Sequence, residues 1–385
     1  MMRGINRVSS EIGKCLIPKV GDRTEIIKYA PQRLPPMPSY RDLLAIYGIH
    51  GKKQLSQNFL MRPLTIRKLV KYSCIKPGDT VLEIGPGPGN ITREILSQGP
   101  KELFVIEKDR RFLPMLEMLS DAAYPGQMKI LLGDVRDFNM ENFFDPSLKR
   151  DWLDSPPSIQ FFSNLPFNIA SPLLIKWLNQ IHLRKGAFAY GRVPLSLTFQ
   201  WEVAQRLGAD ILQYGRSRVS IMTQLYCKVH RKLLIPGSHF FPKPQVDVGL
   251  VRLLPLRTPL VPTEIPFKVV DKFVRNLFHL RRKFIRRSLH VLFPSSERQL
   301  IDKICIEAGV SVDDTPIMLS NQEIARMIQI YYEIIKDSPE LADYDHTTRK
   351  KEPKLIRDLF SESNISVNPK WERKTIKNES NPIEQ

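Results

Sequence analysis

The segment that most restricts this chain is Thr80–Leu96, TVLEIGPGPGNITREIL, in which a short apolar run ends in Gly85, Gly87 and Gly89 and an amphipathic stretch follows at once. Glycines at this spacing let the backbone turn tightly and approach a ligand, because no Cβ intervenes. A strand passing through such a turn into a helix is the opening unit of a parallel α/β sheet. The GxGxG pattern alone does not choose a ligand. Enzymes of NAD, FAD and S-adenosylmethionine share this turn, as does a purely structural glycine loop.

Downstream the periodicity keeps alternating between strand and helix. Strands are expected at Thr80–Ile84, Leu103–Glu107, Met128–Leu132 and Ile159–Ser163, with helices after Gly89, Asp109, Ser171 and Ser196. Further β-rich stretches, Val219–Ile235 and Val248–Leu254, would complete one sheet. From Pro266 the pattern changes: Phe267, Val270, Phe273, Val274, Leu277, Leu280, Phe284 and Leu289 recur at near-helical spacing. The expected fold class is therefore a Rossmann-like α/β sheet followed by a smaller all-helical C-terminal domain. The expected divisions are a leader at 1–32, an α/β domain at 33–260, a helical domain at 261–340 and a disordered charged tail at 341–385.

The ends of successive strands narrow the ligand. Glu107 closes the second strand twenty residues after Gly87, where an acidic side chain can accept hydrogen bonds from both ribose hydroxyls of a nucleoside. Asp134, in GDVRDF, closes the third strand beside the same crevice and is placed to accept from an adenine amino group. Three sheet-edge features in this order point to an adenosine-bearing ligand.

The fourth strand end separates a methyl donor from a dinucleotide. There FFSNLPFNIASPLLIKWL puts Asn164, Leu165, Pro166 and Phe167 between a strand and a helix. An exocyclic adenine amine is a poor nucleophile, since its lone pair is delocalised into the ring. The side-chain oxygen of Asn164 and the backbone carbonyl of Pro166 are expected to draw it toward sp³ geometry. Phe167 supplies a face for a base taken out of its stack, worth about 1 to 3 kcal/mol. An Asn-capped turn with a buried Phe would use the same residues, but it explains neither their order nor their spacing after the glycine loop.

Charge identifies a class of partner. The chain has 58 Lys and Arg against 40 Asp and Glu, a net +18. Residues 336–385 are neutral and residues 1–32 carry +3, so about +15 belongs to the part expected to fold. Such a surplus suits a phosphate backbone, although a merely basic soluble protein has the same totals. The four cysteines show no ligand spacing, so neither a metal site nor a disulfide framework is expected. No apolar run approaches the roughly 18 residues of a spanning helix, and no membrane partner is expected. Arg3, Arg7, Lys14 and Lys19, set among serines and apolar residues with Glu11 as the sole acid of the first twenty, suit a mitochondrial transit peptide. An ordinary basic N-terminus would look similar.

Taken in order, QNFL (57–60), EIGPGPG (83–89), EKD (107–109), GD (133–134), SNLPF (163–167), FFPKPQVD (240–247) and LRRKFIRRSL (280–289) resemble the rRNA adenine N6,N6-dimethyltransferase family over about residues 33–335. RLPPMPSYRDLL ahead of QLSQNFL, and Asp247 followed by Val248 where the family usually has VDS, resemble its mitochondrial branch.

The resemblance implies S-adenosylmethionine as cofactor. Gln57, Asn58 and Leu60 would cover its methionine end, Gly85 and Gly87 would line the loop, Glu107 and Lys108 would meet ribose and adenine, and Asp134 with Val135 would hold the adenine. Asn164 would lie between cofactor and target. The implied substrate is two adjacent adenines in the 3′-terminal hairpin loop of small-subunit rRNA, here the mitochondrial 12S molecule. The implied partner is the assembling mitochondrial small ribosomal subunit, and the implied location the matrix.

Phe240 or Phe241 would close over the target base or serve as core aromatics, and Arg281, Arg282, Lys283, Arg286 and Arg287 would form a basic helix on RNA phosphates or a solvated charged face. A second class, a cofactor of the mitochondrial transcription machinery that keeps the fold, follows from the names used in that branch; intact motifs favour an enzyme. A DNA adenine methyltransferase is a third class, disfavoured by the short basic helical domain, and a NAD-dependent oxidoreductase leaves NLPF unexplained. A monomer is the default.

Overall fold

The computed structural model describes residues 34–39, 41–42 and 58–344. The expected leader, Gln57 and the chain beyond Tyr344 lie outside them.

Strands in chain order are β1 (Phe59–Leu60), β2 (Thr80–Ile84), β3 (Glu102–Glu107), β4 (Met128–Leu132), β5 (Ile159–Ser163), β6 (Leu195–Gln200), β7 (Cys227–Ile235), β8 (Phe240–Phe241) and β9 (Val248–Pro255). Seven of them make one sheet in the order β4-β3-β2-β5-β6-β9-β7, and β1 pairs separately with β8. β2 to β6 run parallel, while β9 is antiparallel to both neighbours. Chain order runs outward in both directions from β2, with β3 on one side and β5 on the other. In open α/β sheets this reversal leaves a crevice at the carboxyl ends of the two strands.

Parallel strands covered on both faces read as continuous apolar runs, which is why TVLEI and IQFFS show no alternation. Val81 and Val105 enter one core, against the helices Pro63–Tyr72, Asn90–Ser97 and Leu113–Ala122. Leu82, Ile84, Phe104 and Ile106 enter the other, under the helix Phe167–Leu183.

Four local expectations are corrected. The helix expected after Ser171 begins at Phe167, because Pro166, with φ −51°, turns the chain directly off β5; Pro172 lies inside the helix. The helix expected after Ser196 is displaced by β6, all but the last of whose residues are buried between β5 and β9; it begins instead at Trp201 and runs to Leu207. Within the β-rich stretch, Arg218–Gln224 is helical, started by a reciprocal cap between Ser217 and Ser220. The basic helix is also shorter than expected: Arg281, Arg282 and Lys283 occupy turns, and only Ile285–Leu289 is helical.

Past Pro255 every regular element among the described residues is helical: Phe267–Leu277, Ile285–Leu289, Gln299–Ala308, Asn321–Asp337 and Pro339–Ala342, besides single 3₁₀ turns. Ser320 and Glu323 cap the longest of these reciprocally. The helical region does not form an isolated core. Its buried residues join the sheet's second core in one cluster, and edge-on or tilted ring contacts among His182, Tyr226 and Phe267, with centroids 5.4 to 6.0 Å apart, lie at the junction. Among the described residues no helix is long and apolar enough to cross a membrane, and no cluster of His, Cys, Asp and Glu is placed to hold a metal.

Candidate active site

The carboxyl ends of β2 and β5 open into a cavity of about 150 Å³. Its floor is the glycine loop. Gly87 has φ +55°, and a Cβ there would stand 2.7 Å from the Phe59 ring. At Gly85, φ +70°, a Cβ would stand 3.2 Å from Leu165. Only glycine gives this conformation without strain and leaves the space open.

Glu107 fixes the loop. It is 4% exposed; one oxygen accepts from the Gly87 N–H at 2.9 Å and the other from the N–H groups of Lys108 and Asp109, each at 2.8 Å. Burial nevertheless raises its pKa, the three amides offsetting only part of that cost. Beneath the loop Glu83, 1% exposed, is pushed by burial up to about 8. Asn90 donates to the Leu60 carbonyl at 3.0 Å, and its own side-chain oxygen is buried with no hydrogen-bond partner among the described residues.

Asp134 differs from expectation. It caps the 3₁₀ turn Val135–Asp137 by accepting from the Arg136 N–H at 3.0 Å. Its carboxylate also binds the Arg136 guanidinium at 2.8 Å and the Lys108 ammonium at 3.0 Å. Hydrogen bonding from Arg136 first, then Lys108, holds it far below the usual carboxylate range. Neither Asp134 nor Val135, which is 7% exposed in the core, lines the cavity.

At the end of β5 the Ser163 hydroxyl donates to the Ile84 carbonyl at 3.0 Å, tying the two strand ends together. Asn164 projects next. Its side-chain oxygen accepts from the Thr198 hydroxyl at 2.7 Å and its amide donates to the Asn58 carbonyl at 3.4 Å, so the orientation of the group is fixed from both sides. The Pro166 carbonyl is not free for an amine, since it accepts from Ile169 and Ala170 at 3.0 and 3.2 Å as the first turn of the helix forms. The Leu165 carbonyl has no hydrogen-bond partner among the described residues. Phe167 is half-buried on the cavity wall.

The far wall comes from β1 and β8, where Phe59 faces Phe241 and Leu60 faces Phe240. Phe240 is 4% exposed in the core and borders the cavity, whereas Phe241, half-buried, packs against the same core without lining the cavity. The structure thus brings together Asn58, Leu60, Gly85, Gly87, Glu107, Lys108, Asn164, Pro166, Phe167 and Phe240. The arginines stand apart on the helical region: Arg286 pairs with Asp302 at 3.5 Å, Arg281 donates to the Arg216 carbonyl at 2.7 Å, and Arg282, Lys283 and Arg287 are exposed. Sequence reasoning missed Thr198, Glu83 and Asn90. Glu83 and Asn90 directly flank the glycine loop, but no local pattern marks Thr198.

Known proteins resemble this chain in sequence and in fold. The family model described as ribosomal RNA adenine dimethylase matches residues 48–329. "Dimethyladenosine transferase 1, mitochondrial" of Homo sapiens is 43% identical over 328 residues, covering 85% of this chain and 94% of that protein. The protein of the same name from Caenorhabditis elegans is 41% identical over 346 residues, 88% of this chain and 92% of that one. Among solved structures, a dimethyladenosine transferase from Plasmodium falciparum superposes with a TM-score of 0.56 at 22% identity, over 71% of this chain and 98% of that one. The 23S rRNA methyltransferase ErmE gives 0.50 at 21%, over 71% and 98%. At such identities the structures speak for the fold alone. The extent of the sequence matches speaks for the lineage: this chain belongs to the ribosomal RNA adenine dimethylase family.

Proposed function

We propose that the chain dimethylates N6 of two adjacent adenines in the 3′-terminal hairpin loop of the mitochondrial small-subunit (12S) rRNA, using S-adenosylmethionine, in the matrix and during small-subunit assembly. Residues 33–260 would carry the chemistry and 261–340 would hold RNA. The observation that carries this reading is the placement of Asn164, oriented by Thr198 and Asn58 at the strand end beside the glycine-floored cavity.

The residues present fit the cofactor. The glycine loop keeps open a space that a Cβ would fill, and the buried Asn90 oxygen has an unmet acceptor suited to a cation such as an α-ammonium. When bound, S-adenosylmethionine supplies an activated methyl on a sulfonium. Asn58 and Leu60 would cover its methionine end. A carboxylate has about four acceptor positions, and Glu107 gives three to backbone amides, which leaves room for one ribose hydroxyl bond rather than two. For Asp134 and Val135 to hold the adenine, Asp134 must exchange one of its ion pairs with Lys108 or Arg136.

The target amine would donate one hydrogen to the remaining lone pair of the Asn164 oxygen. Its second acceptor would be the Leu165 carbonyl, because helix formation consumes that of Pro166. Pro166 acts by fixing the turn. Phe167 offers its face to the extruded base, and alignment of the amine with the methyl supplies most of the acceleration. Unpaired loop adenines cost less to splay out than paired ones.

The test is methyl transfer from labelled S-adenosylmethionine to a small-subunit 3′-terminal hairpin. Dimethyladenine should form with the wild type, and should disappear with Asn164→Ala or when both loop adenines are replaced by guanine. Absence of label with an assembly-competent subunit that the protein binds would overturn the enzymatic assignment in favour of a non-catalytic nucleic-acid-binding role.

A further inference from the structure

Among the described residues the aromatic side chain most open to solvent is Tyr214, 78% exposed, on the loop joining the helices Trp201–Leu207 and Arg218–Gln224. Exposed aromatics usually sit on yielding loops, but this one is fastened from several directions. The Leu212 N–H donates to the Ile317 carbonyl at 2.9 Å. Gln224 donates to the carbonyls of Leu207 and Ala209, each at 3.0 Å. Arg216, 1% exposed, reaches into the helical region to the Leu319 carbonyl at 2.6 Å and the Asn321 side chain at 3.0 Å. The ring is thus held out on a rigid support at the seam of the sheet and the helices.

Cations surround it. The guanidinium carbons of Arg282 and Arg281 lie 4.7 and 5.4 Å from the ring centroid, and Arg281 is positioned by its bond to the Arg216 carbonyl. Arg231, which forms no salt bridge among the described residues, borders a cavity of about 290 Å³ beside Tyr214 and Arg281. The acid in this cavity, Glu202, is already paired with Arg206.

Register places the platform relative to the active site. Arg231 aligns with Val251, Val251 with Leu197, and Leu197 with Ser163, which immediately precedes Asn164. Three strand spacings of about 4.8 Å separate them, on the order of 14 Å. One RNA hairpin can touch both.

We propose that Tyr214, flanked by Arg281 and Arg282, is a stacking platform for an unpaired base of the substrate RNA other than the target adenine, with Arg231 on the adjoining phosphate. This rests on the rRNA-substrate reading and adds to it a second base contact. An aromatic ring takes any base on its face, the guanidiniums that lie over it turn to the phosphates as the base stacks, and together they hold single-stranded RNA without reading its sequence. The platform thereby sets how the hairpin is presented to Asn164 rather than which atom is methylated.

The test uses the full chain and the hairpin with its natural single-stranded flanks, carrying 2-aminopurine at one unpaired position at a time. Quenching on binding is expected at one flanking position. Tyr214→Ala should abolish that quench and weaken RNA binding by about 5- to 100-fold, while S-adenosylmethionine affinity stays unchanged; Tyr214→Phe should restore both. A flexible single-stranded 2-aminopurine oligonucleotide without the hairpin is the second probe. If the wild type ignores the hairpin but quenches this oligonucleotide, and Tyr214→Ala does not, the rRNA reading fails while the platform stands. Unchanged binding and quenching of both probes by Tyr214→Ala overturns the platform. So does a variant that binds both RNAs normally but no longer joins the small subunit, because Ile211, Leu212 and Tyr214 would then dock a protein.

Discussion

The crevice at β2 and β5 and the helical region after Pro266 hold their polar groups in opposite ways. In the crevice the acids are buried: Glu83 and Glu107 are 1% and 4% exposed, Glu107 is fixed by backbone amides, and Asn164 by the Thr198 hydroxyl and the Asn58 carbonyl. In the helical region the interior is apolar, with Phe273 and Tyr331 ring to ring at 5.3 Å, and the cations Arg282, Lys283 and Arg287 stand in water. Burying polar groups costs stability unless each is satisfied. A region that keeps a Glu83 oxygen and the Asn90 oxygen without a hydrogen-bond partner among the described residues bears that cost beside the cavity, whereas the helical region gains stability from burial and leaves Arg282, Lys283 and Arg287 outside any salt bridge among those residues.

Four measurements bear on this contrast. The largest effect is expected from Phe273→Ala, which should cost about 3 to 5 kcal/mol in urea unfolding. Because the core is continuous with the sheet, unfolding should remain one transition and cofactor binding should melt with it. Two separate transitions would break the contrast into two independent domains. Next, Gly87→Ala forces a non-glycine residue to φ +55° and sets a Cβ against Phe59. It should cost about 1 to 2 kcal/mol and lower S-adenosylmethionine affinity measured by calorimetry, leaving RNA affinity intact.

Thr198→Val removes the hydroxyl that orients Asn164. The loss of one net hydrogen bond, about 0.5 to 1.5 kcal/mol, should appear in kcat, with KM for the cofactor unchanged and with rescue by Thr198→Ser. An equal effect on folding alone would reduce Thr198 to a core residue. The fourth effect is on the slope of stability with pH. Glu83 has a folded pKa near 8, above its unfolded value of 4.5, so the folded state holds more protons in that window and stability falls as pH rises through it. Glu83→Gln should remove that part of the slope, at most about 1.4 kcal/mol per pH unit. A residual fall should persist from Glu107, whose pKa is raised in the same direction.

β2 and β5 at the sheet centre and β4 at its edge were legible because each is a mostly apolar run closed by a glycine or by the target-base motif, and their bounds match. The periphery was less so. Ser171-Pro172 resembles a helix start, but Pro166 had already turned the chain. Ser217 and Ser220 form a cap in which serine stands where glutamate would have signalled one. In the site, residues adjacent in sequence to the glycines and to NLPF were readable. Thr198 was not, because it reaches Asn164 only through the pairing of β5 with β6, a contact spanning 34 residues. Which carbonyl near Pro166 stays free also depended on the helix register, and the helix begins at Phe167, five residues before the start at Pro172 that the sequence suggests.

The pairing of β1 with β8 has a consequence for synthesis. Leu60 and Phe240, which meet across one wall of the cavity, are 180 residues apart. β7 finds its neighbour only in β9, which is made after it. A nascent chain stopped before Phe240 would therefore expose an unpaired β6 edge and a glycine loop lacking its far wall. Contacts of such long range form late and slowly. The cavity is closed by β8 and by Val248 of β9, the last strands to leave the ribosome, so methyl-donor binding at the proposed site would report that the sheet has assembled.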